Sequence, residues 1–133
     1  MKLTILATAA LLLPLSLVAP VRAENPAHVR QLIETKQCQG CDLTQANLAS
    51  AHLVGADLRG ANLKGANLTK ANLEGADLTG ANLEKANMTA AFINSADLQQ
   101  ADLSGANLSE ANLMNANLED AALDNAILPK GMR

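Results

Sequence analysis

Apolar and polar positions repeat along this chain with a period of five from Cys41 to Lys130, as in "GANLKGANLTKANLEGADL" at residues 60–78. Within a unit a small residue is followed by Asn or Asp, then Leu, then two variable positions. Neither regular secondary structure carries this period. On an α-helix a step of five turns the side chain by about 500°, so the leucines would spread around the whole helix. Along one continuous strand a step of five is odd, and successive leucines would point to opposite sides. Residues two apart share a face of an extended segment, and Ala46 with Leu48, or Ala51 with Leu53, are such pairs. The three remaining steps of each unit must turn a corner. A short straight run and a corner, repeated in the same sense, wind into a solenoid. Gly55, Gly60, Gly65, Gly75, Gly80 and Gly105 stand at these corners, where glycine tolerates the positive φ of a type II turn.

The register runs unbroken through eighteen units. The first inward position is Cys41 and then Ala in every later unit, and the central position is Leu except at Met88 and Ile93. The position between them is Asn or Asp, with His52, Phe92, Ala122 and Ile127 departing from the rule. Chance does not hold a register for that long. The tandem A(D/N)LXX pattern resembles the pentapeptide-repeat family. The resemblance implies an all-β fold, a right-handed quadrilateral β-helix with four units per coil. Residues twenty apart then stack, and eighteen units make four and a half coils. A single coil cannot bury its own core, so stability comes from stacked neighbours. The outward asparagines are expected to form ladders bonded from coil to coil.

The ends read differently. "MKLTILATAALLLPLSLVAPVRAENPA" has a basic start, an apolar run and a small-x-small ending at Val21-Arg22-Ala23, the pattern of a secretory signal peptide over residues 1–23. The run is short for a membrane span and is interrupted by Pro14. In "ENPAHVRQLIETKQC", Asn25 is suited to cap a helix, Pro26 to its first turn, and Val29, Leu32 and Ile33 to one side of it. Residues 24–37 are therefore expected to form a short capping α-helix, a lid on the first coil. The repeat column should occupy residues 38–130, with a tail at 131–133 after Pro129 breaks the pattern.

Composition narrows the function. Without residues 1–23, 8 basic and 13 acidic side chains remain, a net charge of −5. That balance disfavours nucleic acid and anionic lipid as partners. Phe92 is the only aromatic residue, so stacking platforms for bases or sugars are absent. No Ser-His-Asp order, phosphate-cradling loop or metal-type His cluster is present, so no cofactor, metal or catalytic residue is expected. The Asn-x-Ser/Thr triplets at Asn67, Asn87 and Asn107 arise from the repeat itself.

Three features fall outside the bare repeat. Cys38 stands where a central Leu would be and Cys41 where the inward Ala would be, so both should face the core near the lid. In an oxidising compartment they would form a disulfide staple, or else a buried thiol pair. Adding twenty places Asp57, Asp77 and Asp97 in one column, a stack of carboxylates that would raise an Asp pKa or attract a hard cation; local hydrogen bonding of each carboxylate is the plainer reading. A second column carries His52, Asn72, Phe92 and Asn112, beside a row of Val54, Glu74, Asn94 and Met114. The departures His52, Val54, Phe92 and Met114 thus fall on one side, as an interaction face would.

These features point to a non-catalytic exported scaffold whose rigid surface engages another protein, with no nucleic-acid partner and no membrane once the signal is cleaved. The stretch "TKQCQGCDLTQANLASAHL" resembles exported family members from photosynthetic prokaryotes, which implies the periplasm or thylakoid lumen. Two alternatives come from other classes. One is the acidic DNA mimic of some family members, which engages a topoisomerase; six acids and no base between Asp97 and Asp124 fit it, and the signal peptide opposes it. The other is a thiol-redox protein using Cys38 and Cys41, which would need accessible sulfur.

Overall fold

Asn25 caps the first described element. In the computed structural model, which describes residues 24–132, its side chain accepts from the amides of Ala27 and His28 at 3.2 and 3.4 Å. With Pro26 in the first turn, this starts helix α1, Pro26–Thr35. Lys36 ends the helix in the left-handed region (φ 59°), its amide donating to the Leu32 carbonyl. The signal peptide expected at residues 1–23 lies outside the described residues. The helix side is narrower than expected: Leu32 is fully buried and Val29 packs beside it, but Ile33 is 43% exposed. Leu32 and Ile33 lie about 100° apart around a helix, and α1 is rolled so that Leu32 points into the column.

From Gln37 onward the chain pairs with itself in parallel at a spacing of twenty residues. Four rows result. They run Gln37–Asp57–Asp77–Asp97–Asn117, Asp42–Asn62–Asn82–Asp102–Ala122, Asn47–Asn67–Asn87–Asn107–Ile127 and His52–Asn72–Phe92–Asn112. Each pairing is one residue long, because the chain reaches a corner before a longer strand can form. The coil is therefore a solenoid of bridges rather than of extended strands.

The amides of most units follow one pattern, which the unit around Leu63 shows. The Ala61 amide closes the preceding corner onto the Leu58 carbonyl at 3.0 Å. The Asn62 amide reaches back one coil to the Cys41 carbonyl, and the Leu63 and Gly65 amides reach forward to Asn82 and Glu84. The remaining amide, Lys64, donates to the Asn62 side-chain oxygen at 3.1 Å. The same side-chain bond recurs from Asp42 to Asn117. The coil-to-coil asparagine ladder expected from the sequence is thus replaced by a local turn. The fourth amide has no backbone acceptor within reach, and Asn and Asp side chains readily accept from the amide two residues on.

The fifth position has positive φ at every corner from Gly40 to Asn125. It is the third residue of a turn closed by the next Ala amide, as type II geometry requires. Eleven of these corners carry a residue other than glycine, so glycine is favoured there but not obligatory. At corners with a coil ahead of them the strain, about 1 kcal/mol, is offset by the ladder bond that the same residue donates, as Lys70 does to Thr89; among the described residues Glu110, Asn115, Asp120 and Asn125 donate none.

The inward positions make one continuous core. Leu43 through Leu108 and the intervening alanines are 0–2% exposed, Ala51 excepted. Leu118, Leu123 and Leu128 in the last described coil are only partly covered.

Candidate functional site

Cys38 and Cys41 span the first corner. Cys38 occupies a central position, Cys41 the next inward one, and their sulfurs are joined in a disulfide. Both are buried, and the Cys38 sulfur lies 3.4 Å from the His28 carbonyl of the lid. A thiol-redox role would require a reductant to reach a bond that α1 covers.

The Asp57–Asp77–Asp97 column is present, but its carboxylates do not converge on a cation site. The Arg59 guanidinium takes Asp57 through Nε at 2.8 Å and Nη2 at 2.6 Å, and its Nε lies 3.7 Å from Asp77. Asp77 accepts from the Thr79 amide and hydroxyl, and Asp97 from the Gln99 amide. Among the described residues no group of three or more His, Cys, Asp or Glu is arranged to hold a metal. This corrects the cation reading: the countercharge comes from Arg59, two residues along the same unit. Hydrogen bonding to Arg59 holds the Asp57 carboxyl below the ordinary carboxylate range, against a smaller opposing effect of desolvation. A depressed pKa contributes stability at pH values above the unfolded value of 3.8, and the contribution is lost as pH falls through the lower folded value. Arg59→Gln should therefore lower the melting temperature slightly at neutral pH, and the gap to wild type should close in acid. A pH series of thermal melts checks this; a constant gap would refute the assignment.

The third feature is a break in an otherwise polar column. Val54, Phe92 and Met114 are 52%, 50% and 64% exposed. Phe92 is paired between Asn72 and Asn112 in the row headed by His52. Val54 and Met114 follow that row at the adjacent corner, three coils apart in the register of twenty. Asn72 and Asn112 each bind the amide two residues on, Glu74 at 3.0 Å and Met114 at 3.1 Å. Phe92 has no such acceptor, and the His52 imidazole receives no bond from the Val54 amide. Among the described residues nothing accepts from the Val54 and Asn94 amides. The row thus forgoes two bonds that Asn would supply, each worth about 1 kcal/mol. Local rules broken without compensation are expected where function overrides folding. A further exposed residue lies outside the face read from the sequence: Ile127, 55% exposed, at the end of the neighbouring row. Its signal was the missing Asn at its own second position.

Eight copies of the family described as Pentapeptide repeats match residues 37–75, 56–94, 66–104 and 93–128. The chain belongs to the pentapeptide-repeat family. Among solved structures, a pentapeptide repeat protein from the thylakoid lumen of Arabidopsis thaliana is similar, with 33% identity over 68% of this chain and a TM-score of 0.65. This chain spans 64% of that protein's length. A pentapeptide repeat protein from Nostoc PCC 7120 is 30% identical over 83% of this chain and 88% of its own, with a TM-score of 0.47. QnrB1, a plasmid-mediated fluoroquinolone resistance protein, is 24% identical over 69% of this chain and 59% of its own, with a TM-score of 0.33. No curated protein matches.

Proposed function

We propose that this pentapeptide-repeat protein is a non-catalytic scaffold, exported to a periplasm or thylakoid lumen, that engages another protein through the face of His52, Val54, Phe92 and Met114. Its column is the right-handed, four-sided β-helix of the family. The observation that carries the reading is the exposure of Val54, Phe92 and Met114 along one row and its edge, beside two amides left without acceptors. Large apolar side chains clustered on a rigid polar surface mark an interaction site. The N-terminal signal pattern and the likeness to a thylakoid-lumen protein support the address.

A double substitution separates binding from folding. Asn at position 92 supplies the missing acceptor for the Asn94 amide. Phe92→Asn should therefore leave stability unchanged or raise it by about 1 kcal/mol. Combined with Met114→Asn, it should remove the proteins that co-purify with the wild-type chain from its native compartment. Denaturant titration and quantitative mass spectrometry of the captured proteins read the two effects. An unchanged set of captured proteins would sink the assignment, and a destabilised Phe92→Asn chain would mean that the phenylalanine serves the fold.

A further inference from the structure

Beyond that reading, we propose that the lid is a proton-responsive clamp operated by His28. Within the column, the second-position amide of each unit donates to a carbonyl one coil earlier, as Asn62 does to Cys41 and Asn67 to Ala46. The first coil has no earlier coil, and the segment around α1 supplies side-chain acceptors in its place. The Gln37 amide donates to Thr35 Oγ1 at 3.1 Å, the Asp42 amide to His28 Nδ1 at 2.9 Å, and the Asn47 amide to Glu24 Oε2 at 2.7 Å. Three of the four rows are capped in this way.

The three acceptors respond differently to protons. A hydroxyl does not titrate in this range, and a carboxyl oxygen accepts in either protonation state. An imidazole nitrogen accepts only while it carries no proton. A backbone amide can only donate, so the 2.9 Å contact defines His28 Nδ1 as the unprotonated nitrogen, with the proton on Nε2. Protonation sets two donors face to face and removes the acceptor. The Asp42 carbonyl lies 3.3 Å from Nδ1, so the new N–H turns to that carbonyl at the expense of the amide contact. Both packed elements carry charged groups. On the lid these are Glu24, held by the Asn47 amide, together with Arg30, Glu34 and Lys36, whose ammonium donates to the Ile33 carbonyl. On the coil it is Asp42, whose Oδ1 is held by Thr44. Beneath the ring's own backbone lies the Cys38–Cys41 disulfide, 3.4 Å from the His28 carbonyl. Loosening the clamp thus uncovers the sulfur pair and the top of the leucine core.

Imidazole is the side chain that changes charge between about pH 5 and 8, so the test spans that range. In the oxidised full-length chain, amide exchange at Asp42, corrected for intrinsic rate, should quicken about tenfold from pH 8 to pH 5. The Asn62 and Asn82 amides of the same row should hold their protection. His28→Asn places a non-titrating oxygen where Nδ1 stands and should flatten the Asp42 profile. Nitrogen NMR of the wild-type ring should show Nδ1 unprotonated at the alkaline end. A flat wild-type profile, the same quickening in His28→Asn, or a proton on Nδ1 in alkali would each overturn the proposal.

Discussion

Leu73→Ala should lower the unfolding free energy by about 2–5 kcal/mol, among the largest effects of any conservative change in this chain. Leu73 is fully buried at the centre of the column, one coil from Leu53 and one from Ile93 in the register of twenty. Its backbone is held from both sides: its amide donates to Phe92 and its carbonyl receives the Ala76 amide. The coils therefore cannot close up around a missing isobutyl group, and the cavity persists. Leu128→Ala offers the contrast. That side chain is only partly covered, so its loss should cost less than half as much. Guanidinium denaturation followed by circular dichroism measures both. A coil has no core of its own, so the transition should remain single and shift as a whole. Equal effects at the two sites would show that the leucines do not form one close-packed core.

The second large effect lies at the lid. Leu32→Asp should destabilise the chain by about 3–5 kcal/mol, the typical result of leaving a charge buried without a partner. Leu32 is fully buried and is the only residue of α1 to be so. The buried cluster that Leu32 joins holds no polar or charged side chain to partner a carboxylate. The helix would detach, taking with it the side chains that serve the Gln37, Asp42 and Asn47 amides. The first coil would then present both an apolar top and unpaired amides, and such an edge invites association with other chains. Sedimentation should show aggregation in Leu32→Asp and not in Ile33→Asp, since Ile33 already faces solvent. If both variants behave alike, α1 does not plug the column.

Much of this architecture was legible in the residues, because a five-residue register is arithmetic. Adding twenty to His52 reaches Asn72, Phe92 and Asn112, and the backbone pairs those residues. The same arithmetic said nothing about which way a side chain turns once it is outside. Asn62 was expected to bond across coils but bonds the Lys64 amide, because the nearest unsatisfied donor is two residues along the chain. Second positions alone show the Asp57 column as a stack of like charges. Arg59, at the fourth position of the same unit, reaches Asp57 directly and lies beside Asp77. The work of Glu24, His28 and Thr35 as edge acceptors was not visible at all. It depends on where α1 sits over the first coil, which no periodicity encodes. The face of Phe92 is intermediate: its alignment followed from the sequence, while the two amides it strands appear only when every hydrogen bond is traced.

Because four units complete a circuit, length and orientation are coupled in this molecule. Splicing in one extra five-residue block between Phe92 and Met114 would leave the leucine filling intact and rotate everything downstream by a quarter turn. Met114 would then look out over a different side from Phe92, while a block of twenty would lengthen the protein and restore their alignment. The fold therefore tolerates growth in steps of five, whereas any partner that grips two coils at once tolerates growth only in steps of twenty.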